Sequence, residues 1–333
     1  MNTQSKIKWG IIGAGIIANK LAEALQLDPD SELVAVASRT PGKADAFAAK
    51  YSIRAADSYE ALVQDPGIDV VYIATTHNFH HENAMLALRH GKNLLVEKAF
   101  TVNARQAREM VDLARQNNCF MMEAIWTRFL PSIGQVKELV ASGRIGQLRH
   151  LSLTFGGFVP EHFRTRLITP ELAGGVTLDM GIYPISFICH VLEELPSEIK
   201  SMARFGDTGV DELATYQFRF PSGRTAVVST SHNLLMKTEA MLYGTLGYID
   251  FPRFQQGQEF SLAIHNGSNQ VQEVESFVVE NHPNGFIYQV AEVVRCLRAG
   301  KLESNIIPLD ESVAIMEVMD RMRAEWGFKY PFE

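Results

Sequence analysis

The residues whose types and spacing can carry chemistry lie in a few short stretches. Gly13-Ala14-Gly15-Ile16-Ile17-Ala18 is a G-x-G-x-x-A run that follows an apolar, β-rich stretch, Ile7–Ile12, and opens a helical pattern. Gly13 permits a tight turn. Gly15 lets a pyrophosphate approach the backbone N–H groups at a helix N-terminus, and Ala18 is small enough for close helix–strand packing. In this context the run predicts a dinucleotide site contacted by Gly13, Ala14, Gly15, Ile16 and Ile17. The plainer alternative is a small-residue turn with packing duties only.

The end of the next β-rich run selects the nucleotide. NAD-preferring sites place an acid there to hold the ribose 2′-hydroxyl. Here the run ends Ala37-Ser38-Arg39-Thr40, with Lys43 close behind. No carboxylate stands there to repel a 2′-phosphate, and a guanidinium and two hydroxyls are available to bind one. NADP is therefore expected over NAD.

Three further stretches follow. Thr75-Thr76-His77-Asn78-Phe79-His80-His81-Glu82 looks metal-like, but Met85 occupies the second His position of H-E-x-x-H, so no metal is expected. The stretch follows a strand at the carboxyl edge of the sheet, where a cofactor lies, and this places Thr75, Thr76, Asn78 and His80 near it. Glu97-Lys98 ends another strand at the same edge, where a lysine can hold ribose hydroxyls or orient a substrate oxygen. Asp179 and Tyr183 stand four apart after Gly174-Gly175; on a helix they share a face, and a carboxylate beside a phenol can orient it or pass it a proton. Phe158, His162, Arg164 and Arg166 lie in a Gly-, Pro- and Arg-containing loop over 156–175. They are candidate substrate-wall residues, ordinary surface being the alternative.

The elements that must position these groups are legible in the periodicity. Over residues 1–123, near-continuously apolar runs (Ile7–Ile12, Glu32–Ala37, Val70–Ala74, Asn93–Val96, Cys119–Met122) alternate with helical patterns (Ile17–Gln26, Gly42–Lys50, Tyr59–Gln64, His80–His90, Ala104–Asn117). Strands of that kind are covered by helices on both faces, so the segment reads as a doubly wound, parallel Rossmann-type α/β sheet. Residues 124–333 read differently. Helical spacing at Ser132–Ala141 and Leu178–Leu192 surrounds one strand, His150–Phe155, and the loop. Alternating strands then run from Ile199 to Val278, with hairpin turns at Pro221-Ser222-Gly223 and Asn266-Gly267, and helices return at Ile287–Ala299 and Asp310–Glu325. This predicts an α+β domain on a mainly antiparallel sheet.

Composition excludes several classes. The 333 residues are 46% apolar and 21% charged, which is globular rather than disordered, and long enough for two domains. A net charge of −7 disfavours nucleic acid and anionic membranes as partners. Three separated cysteines, Cys119, Cys189 and Cys296, form no C-x-x-C and suit small core residues in a reducing cytoplasm. No apolar run is expected to reach the roughly 20 residues of a membrane span.

Taken together these residues are recognisable. Gly13–Ala18, the Ala74-Thr75 strand end, Glu97-Lys98, and Gly174-Gly175 followed by Asp179 and Tyr183 resemble the Gfo/Idh/MocA oxidoreductase family over nearly the whole chain. Gly244-Thr245-Leu246-Gly247 and the helix Tyr288–Leu297 also fit. Met122-Glu123-Ala124-Ile125-Trp126-Thr127-Arg128-Phe129 with Gly181-Ile182-Tyr183 is most similar to the branch of dimeric dihydrodiol dehydrogenase, NADP-dependent xylose dehydrogenase and glucose–fructose oxidoreductase. The resemblance implies an open-faced, mainly antiparallel sheet after the Rossmann domain, and hydride transfer between NADP and a sugar, polyol or diol carbon. It implies Lys98 and Tyr183 as the catalytic pair with Asp179 their neighbour. It sets Trp126 and Arg128 on the nicotinamide side, with Glu97 on the cofactor side; Trp126, Asp179 and Tyr183, with the loop candidates Phe158 and Arg164 read above, make up the expected substrate side. The family usually reads Glu-Lys-Pro, with the proline after a cis bond; Ala99 stands there in this chain and leaves the geometry of that bond open.

A free phenol, with pKa about 10, is a poor base at neutral pH, and a neighbouring ammonium favours the phenolate. That is the expected role of Lys98 beside Tyr183. A non-enzymatic NADP-sensing regulator on the same fold would need neither residue. The open sheet face, read from Ala226, Val228, Met241 and Tyr243, needs cover and predicts a homodimer or dimer of dimers. For the cofactor, Arg39→Ala is expected to weaken NADP binding by roughly 1–3 kcal/mol, as for a lost charge-assisted contact, and to leave NAD binding nearly unchanged. Calorimetric titration with both nucleotides checks this; equal affinities in the unmodified protein contradict it.

Overall fold

The computed structural model describes residues 5–267 and 270–333. The chain divides into two compact units, Met1–Trp126 with His282–Met316, and Thr127–Asn281 with Glu317–Glu333.

The first unit alternates strand and helix: β1 (Ile7–Ile12), α1 (Ile16–Leu27), β2 (Ser31–Ala37), α2 (Lys43–Tyr51), β3 (Arg54–Ala55), α3 (Tyr59–Gln64), β4 (Val70–Ile73), α4 (His80–Arg89), β5 (Asn93–Glu97), α5 (Ala104–Gln116) and β6 (Met121–Ala124). The strands are hydrogen-bonded in the order β3-β2-β1-β4-β5-β6, and every pair is parallel. The order reverses at β1, so the loops after β1 and β4 diverge there and open the crevice that such sheets use for ligands. Trp9, Ile11, Ile12, Val70–Ile73 and Leu94–Val96 are all fully buried, as runs covered on both faces must be. On α1, Ala18, Leu21, Ala22 and Leu25 form the buried stripe. Ser58 and Asn103 cap α3 and α5, accepting from Ala61 N–H and Gln106 N–H at 3.0 Å each.

Two local readings change. The last strand starts at Met121 rather than Cys119, because Cys119 N–H still donates to Ala114 O at 2.9 Å and closes the preceding helix. The two-residue β3 is too short to leave a periodic signal.

The second unit begins with α6 (Pro131–Ala141), β7 (Leu148–Gly156), α7 (Glu161–Ile168) and α8 (Ile182–Leu192), the last preceded by a π-turn over Thr177–Gly181. Then come β8 (Glu198–Phe205), β9 (Asp211–Arg219), β10 (Thr225–Ser231), β11 (Glu239–Gly244), β12 (Gly247–Pro252), β13 (Glu259–His265) and β14 (Val271–Val278). The eight strands order as β14-β13-β12-β11-β7-β10-β9-β8. All pairs are antiparallel except β7–β10, which is parallel. The turns at 221–223 and 266–267 join the antiparallel pairs β9–β10 and β13–β14, as read. Segment 156–175 is not all loop: α7 lies within it. Only Leu167 of that helix is buried, so it has no apolar stripe to betray it.

One face of this sheet is covered by α8, which packs on β7 and β10. Ala226 and Val228 belong to that covered face, each 1% exposed, in register with Leu151 and Leu153. This corrects the sequence reading, which set them on the open face. The open face instead carries Val227, Met241 and Tyr243 in register with Ser152 and His150, so it mixes apolar and polar groups. The expectation that no run reaches membrane length is also corrected. Pro170–Leu192, 23 residues, is long and apolar enough by composition, but 78% of its apolar window is buried inside the protein, as in a core helix.

The chain ends with α9 (Phe286–Arg298) and α10 (Leu309–Glu325). α9 packs on α1, tied by Asn284 Nδ2 donating to Lys20 O at 2.8 Å and by an ion pair of Arg298 with Asp30 at 2.7 Å. Cys119, Cys189 and Cys296 are all free thiols and buried.

Candidate functional site

In the first unit the turn after β1 is built as the dinucleotide motif requires. Gly13 has φ +102°, and a Cβ there would come within 2.7 Å of Ala74 O, so no other residue fits. Its N–H donates to Ala37 O at 2.9 Å, which pins the turn to the end of β2. Gly15 is the N-cap of α1 and supplies no side-chain cap. A Cβ added to Gly15 would meet nothing within 4 Å. The first N–H groups of α1, from Ile16 and Ile17, have no side-chain cap, and a helix N-terminus of that kind suits a pyrophosphate. Ala18 is fully buried against the sheet.

At the end of β2, Ser38 Oγ accepts from Thr40 N–H at 3.2 Å, and Thr40 O accepts from Lys43 N–H at 3.2 Å. Arg39 is exposed, with its guanidinium 3.7 Å from the centroid of the Phe79 ring and 5.8 Å from that of Tyr59. The rings hold the cation while the residue as a whole stays exposed. Phe79 and Tyr59 had escaped the sequence reading; an aromatic three residues after Thr76 was the available signal.

After β4, Thr76 Oγ1 donates to Asn78 Oδ1 at 2.6 Å, and Asn83 Nδ2 donates to Thr75 Oγ1 at 3.2 Å. His80 is fully buried, with Nδ1 2.9 Å from Ala99 O and Nε2 3.1 Å from Thr75 O. Its ring links the end of β4 to the backbone beside Lys98. The Lys98–Ala99 peptide is cis. Glu97 is buried, accepts from Tyr72 Oη and, at 3.2 Å, from Lys98 N–H. Lys98 itself is half-buried. Trp126 stacks on Phe286, ring centroids 5.6 Å apart.

In the second unit, Asp179 lies in the π-turn and Tyr183 in the first turn of α8. The wider turn changes the simple i, i+4 face expected of a regular α-helix. Arg166 donates to Asp179 Oδ1 at 2.7 Å, which ties α7 to the π-turn. Tyr183 meets the Phe155 ring edge-to-face at 5.8 Å. Phe158 is 72% exposed, and Arg164 is exposed and pairs with Glu161 at 3.7 Å. Arg128 is buried, and donates to Ser186 Oγ at 2.7 Å and Ser186 O at 3.1 Å, so its guanidinium braces α8.

What holds the π-turn was invisible in the sequence. Asp211, 2% exposed, accepts from Thr177 N–H at 2.8 Å and from the Thr177 hydroxyl. Tyr216 Oη is 2.8 Å from Thr177 Oγ1 and 3.0 Å from Thr230 Oγ1. Gly181 lets Tyr216 in: a Cβ there would lie 2.7 Å from the phenol oxygen. Tyr330 Oη donates to Gly174 O at 2.6 Å. Burial pushes the Asp211 carboxyl up to about 6, against the two Thr177 hydrogen bonds, and burial also raises the Tyr216 phenol. Among the described residues no group of three or more His, Cys, Asp or Glu is placed to hold a metal.

A Rossmann sheet with this glycine turn, followed by this eight-stranded sheet, is the build of a dinucleotide-binding protein of two units. Residues 7–125 match the model of the Gfo/Idh/MocA oxidoreductase family with NAD-binding Rossmann fold, and residues 133–250 match the Gfo/Idh/MocA C-terminal domain. The chain belongs to that family.

It is 35% identical over 331 residues to trans-1,2-dihydrobenzene-1,2-diol dehydrogenase of Mus musculus, covering 98% of both chains. It is 34% identical to the NADP-dependent D-xylose 1-dehydrogenase of Hypocrea jecorina, covering 98% of this chain and 93% of that one. Among solved structures, a 3-ketoreductase from Actinomadura kijaniata, in complex with NADP, shares the fold at TM-score 0.86 and 23% identity, covering 96% of this chain and 98% of that one.

The buried carboxyl gives a pH test. Its native pKa lies above the unfolded value of 3.8, so between 3.8 and about 6 the folded state holds the extra proton. The stability this contributes is complete below pH 4 and is lost as pH rises through 6. Relative to Asp211→Asn, the wild type should lose roughly 2–3 kcal/mol between pH 4 and pH 7, read by urea unfolding. Parallel curves for the two proteins would contradict it.

Proposed function

We propose that the protein interconverts CH–OH and C=O at a carbon of a sugar, polyol or diol, with NADP as redox partner. The observation that carries the reading is the exposed, aromatic-stacked Arg39 at a β2 end without a carboxylate, together with the open N-terminus of α1. The names of the relatives, a dihydrodiol dehydrogenase and an NADP-dependent xylose dehydrogenase, support the same substrate class.

NADP, when bound, supplies or accepts the hydride. The N–H groups of Ile16 and Ile17 would hold the pyrophosphate and Arg39, with Ser38, Thr40 and Lys43, the 2′-phosphate. Thr75, Thr76, Asn78 and Trp126 belong to the same cofactor side. Tyr183 acts at the substrate oxygen, donating its phenolic proton in reduction and taking it back in oxidation. Lys98 assists by favouring the phenolate, and Asp179, oriented by Arg166, accepts from a substrate hydroxyl. Phe158 and Arg164 are the candidate outer contacts.

We further infer a homodimer, or a dimer of dimers, formed across the open sheet face. There His150 stacks on Tyr243 at 6.1 Å and Tyr243 packs on Tyr248 at 6.2 Å, beside Val227 and Met241. Free buried cysteines suit a reducing, cytoplasmic compartment.

Tyr183→Phe keeps the ring and removes the proton carrier. It should lower kcat by roughly 10²–10⁴ while leaving folding and NADP affinity near wild type. Lys98→Met should be similarly damaging, and the double variant little worse than either, because both act on one proton transfer. Retention of more than about a third of turnover by Tyr183→Phe, with hydride transfer rate-limiting, removes Tyr183 from the role. For assembly, light scattering at micromolar concentration should give at least twice the chain mass; a monomer mass refutes the dimer.

A further inference from the structure

His232 lies just past β10 and in none of the motifs above. It is 6% exposed, and its Nδ1 is fully enclosed without a hydrogen-bond partner among the described residues. The backbone fixes its place. His232 N–H donates to Glu212 O at 3.2 Å, and His232 O accepts from Val159 N–H at 3.2 Å. One residue earlier, Ser231 O accepts from Gly157 N–H at 3.1 Å. These bonds continue the parallel β7–β10 pairing past the strand ends and set His232 beside 157–159.

The same end of the sheet carries the substrate-side candidates of this unit. Phe155, near the end of β7, meets the Tyr183 ring. The π-turn bearing Asp179 packs on both β7 and β10. Asp179, Glu212 and Arg164 are the charges that act on the imidazole, and burial outweighs them and holds its pKa below the ordinary range. A neutral imidazole offers one donor and one acceptor, as a hydroxyl does. An enclosed ring nitrogen without a partner costs free energy until a ligand or water meets it.

We propose that His232 is a specificity-determining residue that hydrogen-bonds a hydroxyl of a polyhydroxylated substrate, an aldose or polyol, at a carbon other than the reacting one. The inference rests on the reading of Tyr183 and Asp179 as the substrate end of this unit. It adds that the site selects for distal hydroxyls rather than for a bare vicinal diol.

The test compares D-xylose, which has distal hydroxyls, with trans-1,2-dihydrobenzene-1,2-diol, which has only the reacting pair, both with NADP. His232→Phe should raise KM for D-xylose about tenfold or more, and KM for the diol less than about threefold. His232→Gln, which keeps a donor and an acceptor, should bring KM for D-xylose back to within about threefold of wild type. Equal changes for the two substrates, or a Gln variant no better than Phe, overturn the proposal. A second measurement needs only binding. In ¹⁵N-histidine spectra of the NADP-loaded protein, saturating D-xylose should shift the ring signal that is missing from His232→Gln; an unmoved signal overturns it. Failure of the wild type to turn over either substrate contradicts the proposed activity instead, and the spectra still decide the role of His232.

Discussion

The buried carboxylate of Asp211 is the constraint on which the second unit depends. Two hydrogen bonds from Thr177 converge on it, and Thr177 opens the π-turn that carries Asp179 and leads into the helix carrying Tyr183. A carboxylate held without water is costly unless its lone pairs are occupied, and those two bonds occupy part of them. Tyr216 extends the network to Thr230, and Tyr330 adds a separate bond to Gly174, ahead of the same turn in the chain. The turn is therefore fixed from the sheet side before any ligand arrives.

The first unit works by an opposite device. Among the described residues nothing lies within 4 Å of a Cβ built at Gly15, and none caps α1 with its side chain. The orphan N–H groups are left for an anion, while Gly13, pressed against Ala74 O, leaves no room for a side chain. Arg39 follows the same logic, held in plane by Phe79 and left exposed for a ligand. His80 is the rigid counterpart, enclosed between Ala99 O and Thr75 O.

Much of this was legible from the residues. Apolar runs flanked by helical spacing yielded the parallel sheet, because burial on both faces leaves a continuous pattern, and the β1–α1 glycines carried the cofactor because each has one physical reason. The family and the oxidoreductase class came from the resemblance those motifs carry, and the family models match the same segments. Other features left no sequence signal. α7 buries only Leu167, so no periodicity marks it. Ala226 and Val228 were set on the wrong face because alternation alone does not say which side a helix covers. Asp211 and His232 matter through partners far away in the chain, Thr177 for one and Val159 for the other. The bond from Arg128 to Ser186 left no signal either, since a motif records residue type and not the direction of a side chain.

The central claim is that this chain moves a hydride between NADP and a substrate carbon. The most direct measurement uses NADPH deuterated at C4 of the nicotinamide, a sugar or diol carbonyl compound as acceptor, and mass and NMR analysis of the product. The account predicts one deuterium at the former carbonyl carbon, delivered by one face of the nicotinamide only. Product formed without deuterium at that carbon, or oxidation of NADPH uncoupled from reduction of the carbonyl, would contradict it.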